Sequence, residues 1–334
     1  MRGEQFGKDK ADCQVKRDMM AVSFLRTVRA IFRRFGSLLS LLVMCGVLAW
    51  RTDAFLTIEN VMNVGRQIAE IAIMAVGQTM VIIAGGIDLS VGSVMAFSGV
   101  STGLVLNAGG SIPLAVCAGL LAGSLCGGIN GFLVTRGRIP PFVVTLGMMG
   151  VASGVALVMT GGTNIFIQKR AGFDAIGLGR IFRVPVPLII MAVVAFSAHI
   201  LLSKTRAGRY FYAIGGSAES ARLSGVPVRF YQGLTFLIGG LMAGLGGVLL
   251  ASRLGIAQPT AGQGYELDTI AAAVIGGASL MGGVGTISGT LIGAFIMAVL
   301  RNGCNLLDIS EFWQRIAIGT IVVLAVYYDH LRRR

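Results

Sequence analysis

The sequence predicts an all-α protein, a polytopic transmembrane bundle of eight to ten spans with interrupted helices and an internal repeat. Three observations carry this reading. Of 334 residues, 54% are hydrophobic and 13% charged, with a mean hydropathy of +0.79, whereas soluble domains carry charge on roughly a quarter of their residues. No Asp, Glu, Lys or Arg occurs from Leu89 to Thr135 or from Ile139 to Gln168, and a span needs only about 20 apolar residues. Finally, Gly85-Gly86-Ile87-Asp88-Leu89-Ser90-Val91-Gly92 is echoed by Gly276-Gly277-Ala278-Ser279-Leu280-Met281-Gly282-Gly283, a shared GG-x-[DS]-L-x-x-G pattern. Unwound backbone at membrane depth is tolerated only where protein or a water-filled cavity covers it, so paired breaks in two halves point to a path for a solute.

The chain divides into a tail, residues 1–34, and a membrane domain, residues 35–334. The tail is polar and of mixed charge through Met20, which predicts a disordered segment. The first span, 35–50, ends at Trp50-Arg51 without a small-residue cleavage site, so it is not a signal peptide. The second and third, 58–84 and 89–107, flank the first break at Gly85, Gly86 and Gly92. The fourth, 112–135, ends before Arg136 and Arg138, and the fifth, 141–161, precedes a loop with Lys169, Arg170, Arg180 and Arg183. The sixth, 186–203, and seventh, 230–252, enclose the largest charged loop, 204–229. The eighth, 267–280, is entered past Glu266 and Asp268, which are expected at the interface. It runs into the second break at Gly276, Gly277, Gly282 and Gly283, after which come spans 285–300 and 316–328. The short spans 267–280 and 316–328 suggest tilting or a partly re-entrant course.

Basic residues set the orientation. Arg26, Arg29, Arg33 and Arg34, then Arg136 and Arg138, then Lys204 to Arg229, and finally Arg332 to Arg334 all fall on one side of a ten-span chain. That side is the cytoplasm by the positive-inside rule, which places both termini there. The cluster at Lys169 to Arg183 falls outside and is the exception. The net charge of +13 is thus topological, and no nucleic-acid partner is expected.

Chemistry-bearing side chains are sparse. Cys13, Cys45, Cys117, Cys126 and Cys304 form no CxxC, four of them lie in or near apolar spans and act there as small hydrophobes, and His199 and His330 are the only imidazoles, so no metal site is expected. Gly99-Val100-Ser101-Thr102-Gly103 matches a nucleophile elbow but lies in a charge-free span. Gly3 to Lys8 is one residue short of a phosphate-binding loop and has no strand before it. No catalytic residue and no cofactor are expected in this chain.

Glycine recurs every four residues at Gly119, Gly123, Gly127 and Gly131 and at Gly285, Gly289 and Gly293, with shorter pairs Gly150/Gly154 and Gly240/Gly244. Such faces let helix backbones approach closely in lipid. Asn130 on the first ladder is placed to bond a neighbouring backbone. Asp88 admits three readings: a helix N-cap, shared with Ser90; a polar lining of a substrate path or gate; and a proton site. In the loop 204–229, Ser217 caps a short helix, Glu219 favours its first turn, and Gly225 with Pro227 stops it, which makes a docking lever between spans.

The segments GGIDLSVGSVMAFSG, INGFLVTRGRIPPFVVTLGMMG, AGRYFYAIGGSAESARLSGVPV and ASRLGIAQPTAGQGYELDTIAAAVIGG resemble the ribose-type monosaccharide permeases of bacterial ABC importers, from about Phe35 to the C-terminus. Glu219, Ser220 and Ala221, followed by Gly225, are similar to the loop by which importer permeases dock into their ATPase, with Ser217 standing where Asn or Asp is expected and Arg222 beside it. The resemblance implies a second permease subunit, either another copy or a related chain. It also implies a cytoplasmic ATPase with two nucleotide-binding halves that binds the ATP, and a periplasmic or lipid-anchored sugar-binding protein. On that mechanism the sugar path is sought around Asp88, Ser90, Asn130 and Ser279. An ion-coupled secondary sugar transporter using Asp88 and a branched-chain amino-acid permease of the same importer class are the alternatives.

Overall fold

The computed structural model describes residues 36–167 and 172–333. The N-terminal tail with its arginines, the Gly3–Lys8 fragment, Cys13, Lys169, Arg170 and Arg334 lie outside the described residues.

The order is α1 (Gly36–Arg51), α2 (Ile58–Ile83), α3 (Val91–Asn107), α4 (Ile112–Thr135), α5 (Pro141–Thr160), β1 (Ile165–Phe166), α6 (Asp174–Leu178), β2 (Arg180–Ile181), β3 (Val184–Pro185), α7 (Val186–Lys204), α8 (Arg206–Gly216), α9 (Ala218–Leu223), α10 (Val228–Leu254), β4 (Ile256–Ala257), α11 (Tyr265–Ile275), α12 (Ile287–Leu306) and α13 (Glu311–Arg333). The strands are two-residue clips: β1 pairs antiparallel with β4, and β2 with β3. Among the described residues six helices are long and apolar enough to cross a membrane, namely α2, α4, α5, α7, α10 and α12, with α1 and α3 shorter and apolar. The predicted all-α bundle is therefore present, with six long and two shorter apolar helices where eight to ten spans were expected.

Local chemistry sets the helix ends. Thr57, Ser111 and Thr286 each accept a backbone N–H in the first turn of α2, α4 and α12, satisfying donors that a helix start leaves free. Proline opens α5 at Pro141, where its missing N–H costs nothing.

The core forms around α10, which packs against α2, α3 and α4. A Cβ on Gly123 or Gly127 would overlap the backbone of Gly240, and one on Gly131 the backbone of Gly233. The first ladder and Gly240/Gly244 thus seat α4 on α10 through backbone contact, as small residues do where lipid offers no hydrophobic drive. Gly289 and Gly293 do the same for α12 against Gly276 and Ala272. Gly150 and Gly154 differ from that expectation: a Cβ on either meets nothing within 4 Å, so this face of α5 is open within the chain. Outward rows such as Leu121, Leu125, Ile129 and Phe132 on α4 are exposed, the surface a lipid-facing helix requires.

Three expectations are corrected. The last span is a continuous 23-residue helix, Glu311–Arg333, about 34 Å long; its charged ends disguise its length. Loop 204–229 holds two helices, α8 and α9, in place of one. Gly92 lies in the first turn of α3 and not in the break.

Candidate functional site

The two breaks are built alike. After α2, Gly85 takes φ +78 and donates to Ile82 O while Gly86 donates to Val81 O; after α11, Gly277 takes φ +93 and donates to Val274 O while Ala278 donates to Ala273 O. Each is a Schellman stop, which needs a left-handed residue that glycine supplies without strain. Each chain then turns on a short polar side chain: Asp88 Oδ1 accepts Ser90 N–H at 2.8 Å, and Ser279 Oγ accepts Met281 N–H at 3.3 Å. The stopping glycines, Gly85 and Gly277, are one position out of step in the GG-aligned repeat. The repeat is therefore one of turn chemistry rather than strict register.

The breaks also touch. Gly283 N–H donates to Ile83 O at 2.9 Å, so the second break caps the last turn of α2. Between them sits the end of α8. A Cβ on Gly215 would overlap Ile83 O and Gly283 N, and one on Gly282 would lie 3.0 Å from Gly215 Cα and 3.1 Å from Gly85 Cα. Tyr212 Oη, one turn earlier on α8, donates to Gly285 O at 2.8 Å. Three glycine-bearing backbones thus interlock, and only glycine at 215 allows it.

Helix α9 hangs from that junction. Ser217, the residue after Gly216, accepts Ser220 N–H at 3.2 Å, which is the predicted cap. Gly225, at φ +80, closes the C-terminal end, with its N–H on Arg222 O and Val226 N–H on Ala221 O. Ala221 is buried and faces the bundle. Glu219 and Arg222 pair across one turn at 2.6 Å with side chains 66% and 66% exposed. Hydrogen bonding from Arg222 and its charge hold the Glu219 carboxyl below the usual carboxylate range. Beside α9 a groove of about 750 Å³ runs along Thr135, Arg136, Arg222, Pro227, Arg229 and Phe230. Its three guanidinium-bearing residues suit an acidic or polar partner surface.

Of the residues sought for the sugar path, the structure gathers Asp88, Ser90 and Asn130. Ser90 Oγ donates to Asp88 Oδ1 at 2.6 Å and accepts from Asn130 Nδ2 at 3.0 Å, and all three side chains are buried. Asp88 binds Ser90 N–H by an Asx turn, while Ser90 holds the N-cap position of α3 without a side-chain cap bond. Asn130 bonds a side chain where a backbone group was expected. Ser279 is not part of this cluster; it lies buried in the second break, with its N–H on Val284 O at 3.0 Å.

A second polar site was missed in the sequence. Residues 258–264 re-enter the bundle after α10, for Gly262 packs backbone to backbone on Gly92 at the start of α3, while Gly103, three turns further along α3, meets Ala257. Helix α11 therefore starts part-way through the bundle and needs only 11 residues, about 16 Å, against a core roughly 30 Å thick. Asp268 in its first turn is fully buried, contrary to the interfacial position expected, and pairs with Arg301 of α12 at 2.5 Å. A cavity of about 510 Å³ opens beside them, lined also by Ser93, Ser153, Gln263 and Glu266. A separate pair, buried Glu70 to half-buried Arg253 at 2.7 Å, ties α2 to α10. The available signal was a carboxylate or guanidinium inside an apolar run, the same rule that singled out Asp88.

One other motif resolves as packing. Ser101 Oγ donates to Phe97 O one turn back in α3, so the elbow-like sequence is helix interior. Among the described residues no group of three His, Cys, Asp or Glu is placed to hold a metal ion.

A protein family described as "branched-chain amino acid transport system / permease component" matches residues 60–326. The chain is 42% identical over 300 residues to the ribose import permease protein RbsC of Escherichia coli K12, covering 89% of this chain and 94% of that one. It is 41% identical over 300 residues to the corresponding protein of Bacillus subtilis 168, covering 90% and 93%. It is also 37% identical over 305 residues to the L-arabinose ABC transporter permease protein AraH of Azospirillum brasilense, covering 91% and 89%. No solved structure matches the chain. The chain therefore belongs to this family of transport permeases and is the membrane-spanning permease subunit of an ABC transport system of the inner membrane.

Proposed function

We propose that this subunit carries a monosaccharide of the pentose class inward, and that ATP-driven motion enters it through α9. The observation that carries the coupling is the interlock at Gly215: the residue two positions before the cap of α9 is wedged between both breaks. A push on Glu219 to Arg222 is therefore delivered to α2, α11 and α12 together, because packed backbones shift as units. The sugar relatives supply the substrate class; the family's amino-acid description covers a wider membership.

The α9 side is then cytoplasmic, with both termini on it. A separate ATPase with two nucleotide-binding halves docks at α9 and the adjoining arginine groove and binds the ATP. A sugar-binding protein delivers substrate at the opposite side, and a second permease subunit completes the membrane unit. This chain performs no covalent chemistry. Asp88, Ser90 and Asn130 form a closed plug that supports the break, and Ser279 holds the equivalent turn on the other side.

The test is gentle affinity purification from native membranes with mass spectrometry, repeated for Glu219→Lys and Arg222→Glu. Recovery of a tandem ATPase with the wild type and at least a fivefold loss with either variant is expected. A chain recovered alone, equally in all three samples, defeats the reading.

A further inference from the structure

We propose that the permease itself contains a binding subsite for a neutral sugar ring, in the cavity between α3, α5, α11, α12 and α13 where the re-entrant segment meets the start of α11. The proposal rests on the importer reading and adds to it a place inside this chain where substrate pauses.

The cavity, about 510 Å³, lies within the range of pockets that hold small ligands, roughly 300–1,000 Å³. Its depth comes from the chain's path. Gly262 is carried into the bundle beside Gly92 and Gly264 beside Arg301, so the half-length α11 begins at the cavity and leaves polar backbone there. Such segments are tolerated at membrane depth where they line a cavity, and discontinuous helices of this kind form solute sites in other transporters.

Its chemistry is that of hydroxyl recognition. Asp268 is fully buried, and its Oδ1 has no hydrogen-bond partner although Oδ2 meets Arg301. Arg301 keeps its Nε buried and unpartnered as well. A buried acceptor and a buried donor left without partners carry a desolvation cost that a ligand can relieve. A sugar hydroxyl both donates and accepts, so one hydroxyl pair can answer both atoms. Gln263, Glu266 and Ser153 add further polar groups around the same space, while Met149, Leu267 and Ile318 offer apolar surface for ring C–H groups. The carboxylates of Glu266, Asp268 and Glu311 outnumber the guanidinium groups of Arg301 and Arg315, which disfavours a phosphorylated or otherwise anionic sugar.

Location joins the subsite to the plug. Ser93 lines the cavity and lies three residues beyond Ser90, in the first turn of α3. The closed Asp88, Ser90 and Asn130 cluster therefore lies within one turn of α3 from the cavity. Among the described residues no aromatic side chain lines the cavity, so affinity should be low, as passage requires: a site on a path must release what it binds.

The test uses the permease with its ATPase in lipid nanodiscs, without binding protein, titrated with D-ribose, D-xylose and L-arabinose by saturation-transfer NMR. Saturable binding of at least one pentose in the millimolar range is expected. Ser153→Phe, which fills the cavity, should weaken it at least tenfold. Gln263→Ala should weaken it about fivefold, the loss of one hydrogen bond, and serves if the larger side chain prevents assembly with the ATPase. Absence of saturable binding in the wild type, or binding indifferent to the variants, overturns the subsite. ATP-driven uptake by the complete system in proteoliposomes is measured in parallel. If it persists without direct binding, the subsite alone fails; if no pentose is taken up, the importer reading fails.

Discussion

At the scale of single residues, Gly215 carries the sharpest consequence. Its Cα approaches the carbonyl of Ile83 and the N–H of Gly283 so closely that one added methyl must separate them. Gly215→Ala should therefore leave α9 capped and able to dock, yet sever the link from it to the breaks. In proteoliposomes the assembled system should retain ATP hydrolysis but lose its stimulation by loaded binding protein, with uptake down at least tenfold. Uptake equal to wild type would remove the residue from the coupling route. Gly215 was present in the sequence as one glycine among 49, and nothing local distinguished it. Ser217, two positions on, was legible because its role is local: a Ser followed three residues later by an N–H it can reach.

At the scale of elements, α9 illustrates what a short helix needs. Six residues are too few to be stable alone, since nucleation outweighs the few bonds gained, so caps and the buried Ala221 hold it. Ser217→Ala should cost about 1 kcal/mol of local stability, speeding amide exchange across 218–223 roughly fivefold, and Ser217→Asp should restore it. Exchange unchanged by the alanine would show that packing alone maintains the helix. The Glu219–Arg222 pair contributes little to this, being exposed and screened, which leaves both charges available to a partner. Periodicity and charge-free length revealed the long spans, whereas α8 escaped notice because its glycines and aromatic residues mimic loop composition. Helix α11 was read too long at 267–280: the apolar run passes through Gly276 and Gly277, yet the helix stops at Ile275.

At the scale of the whole molecule, two ion pairs, each a buried carboxylate on a half-buried guanidinium, cross-brace the bundle, Glu70 with Arg253 between α2 and α10 and Asp268 with Arg301 between α11 and α12. Removing one partner of such a pair strands a charge and typically costs about 3–5 kcal/mol, whereas replacing both by apolar groups can be neutral. Glu70→Leu should thus lower the melting temperature of the purified permease markedly, and Glu70→Leu with Arg253→Leu should recover most of it. A double variant no more stable than the single one would deny the pairing. The sequence by itself determined the all-α class, the order of spans, the two breaks and the cap of α9, because these follow from composition, periodicity and contacts within a few residues. Only the tertiary structure decided that the breaks interlock on Gly215, that Asp88 is closed off by Ser90 and Asn130, and that α11 begins deep enough to set Asp268 beside Arg301. Those outcomes depend on how closely distant backbones pack, which side-chain volume at each crossing governs and no local pattern records.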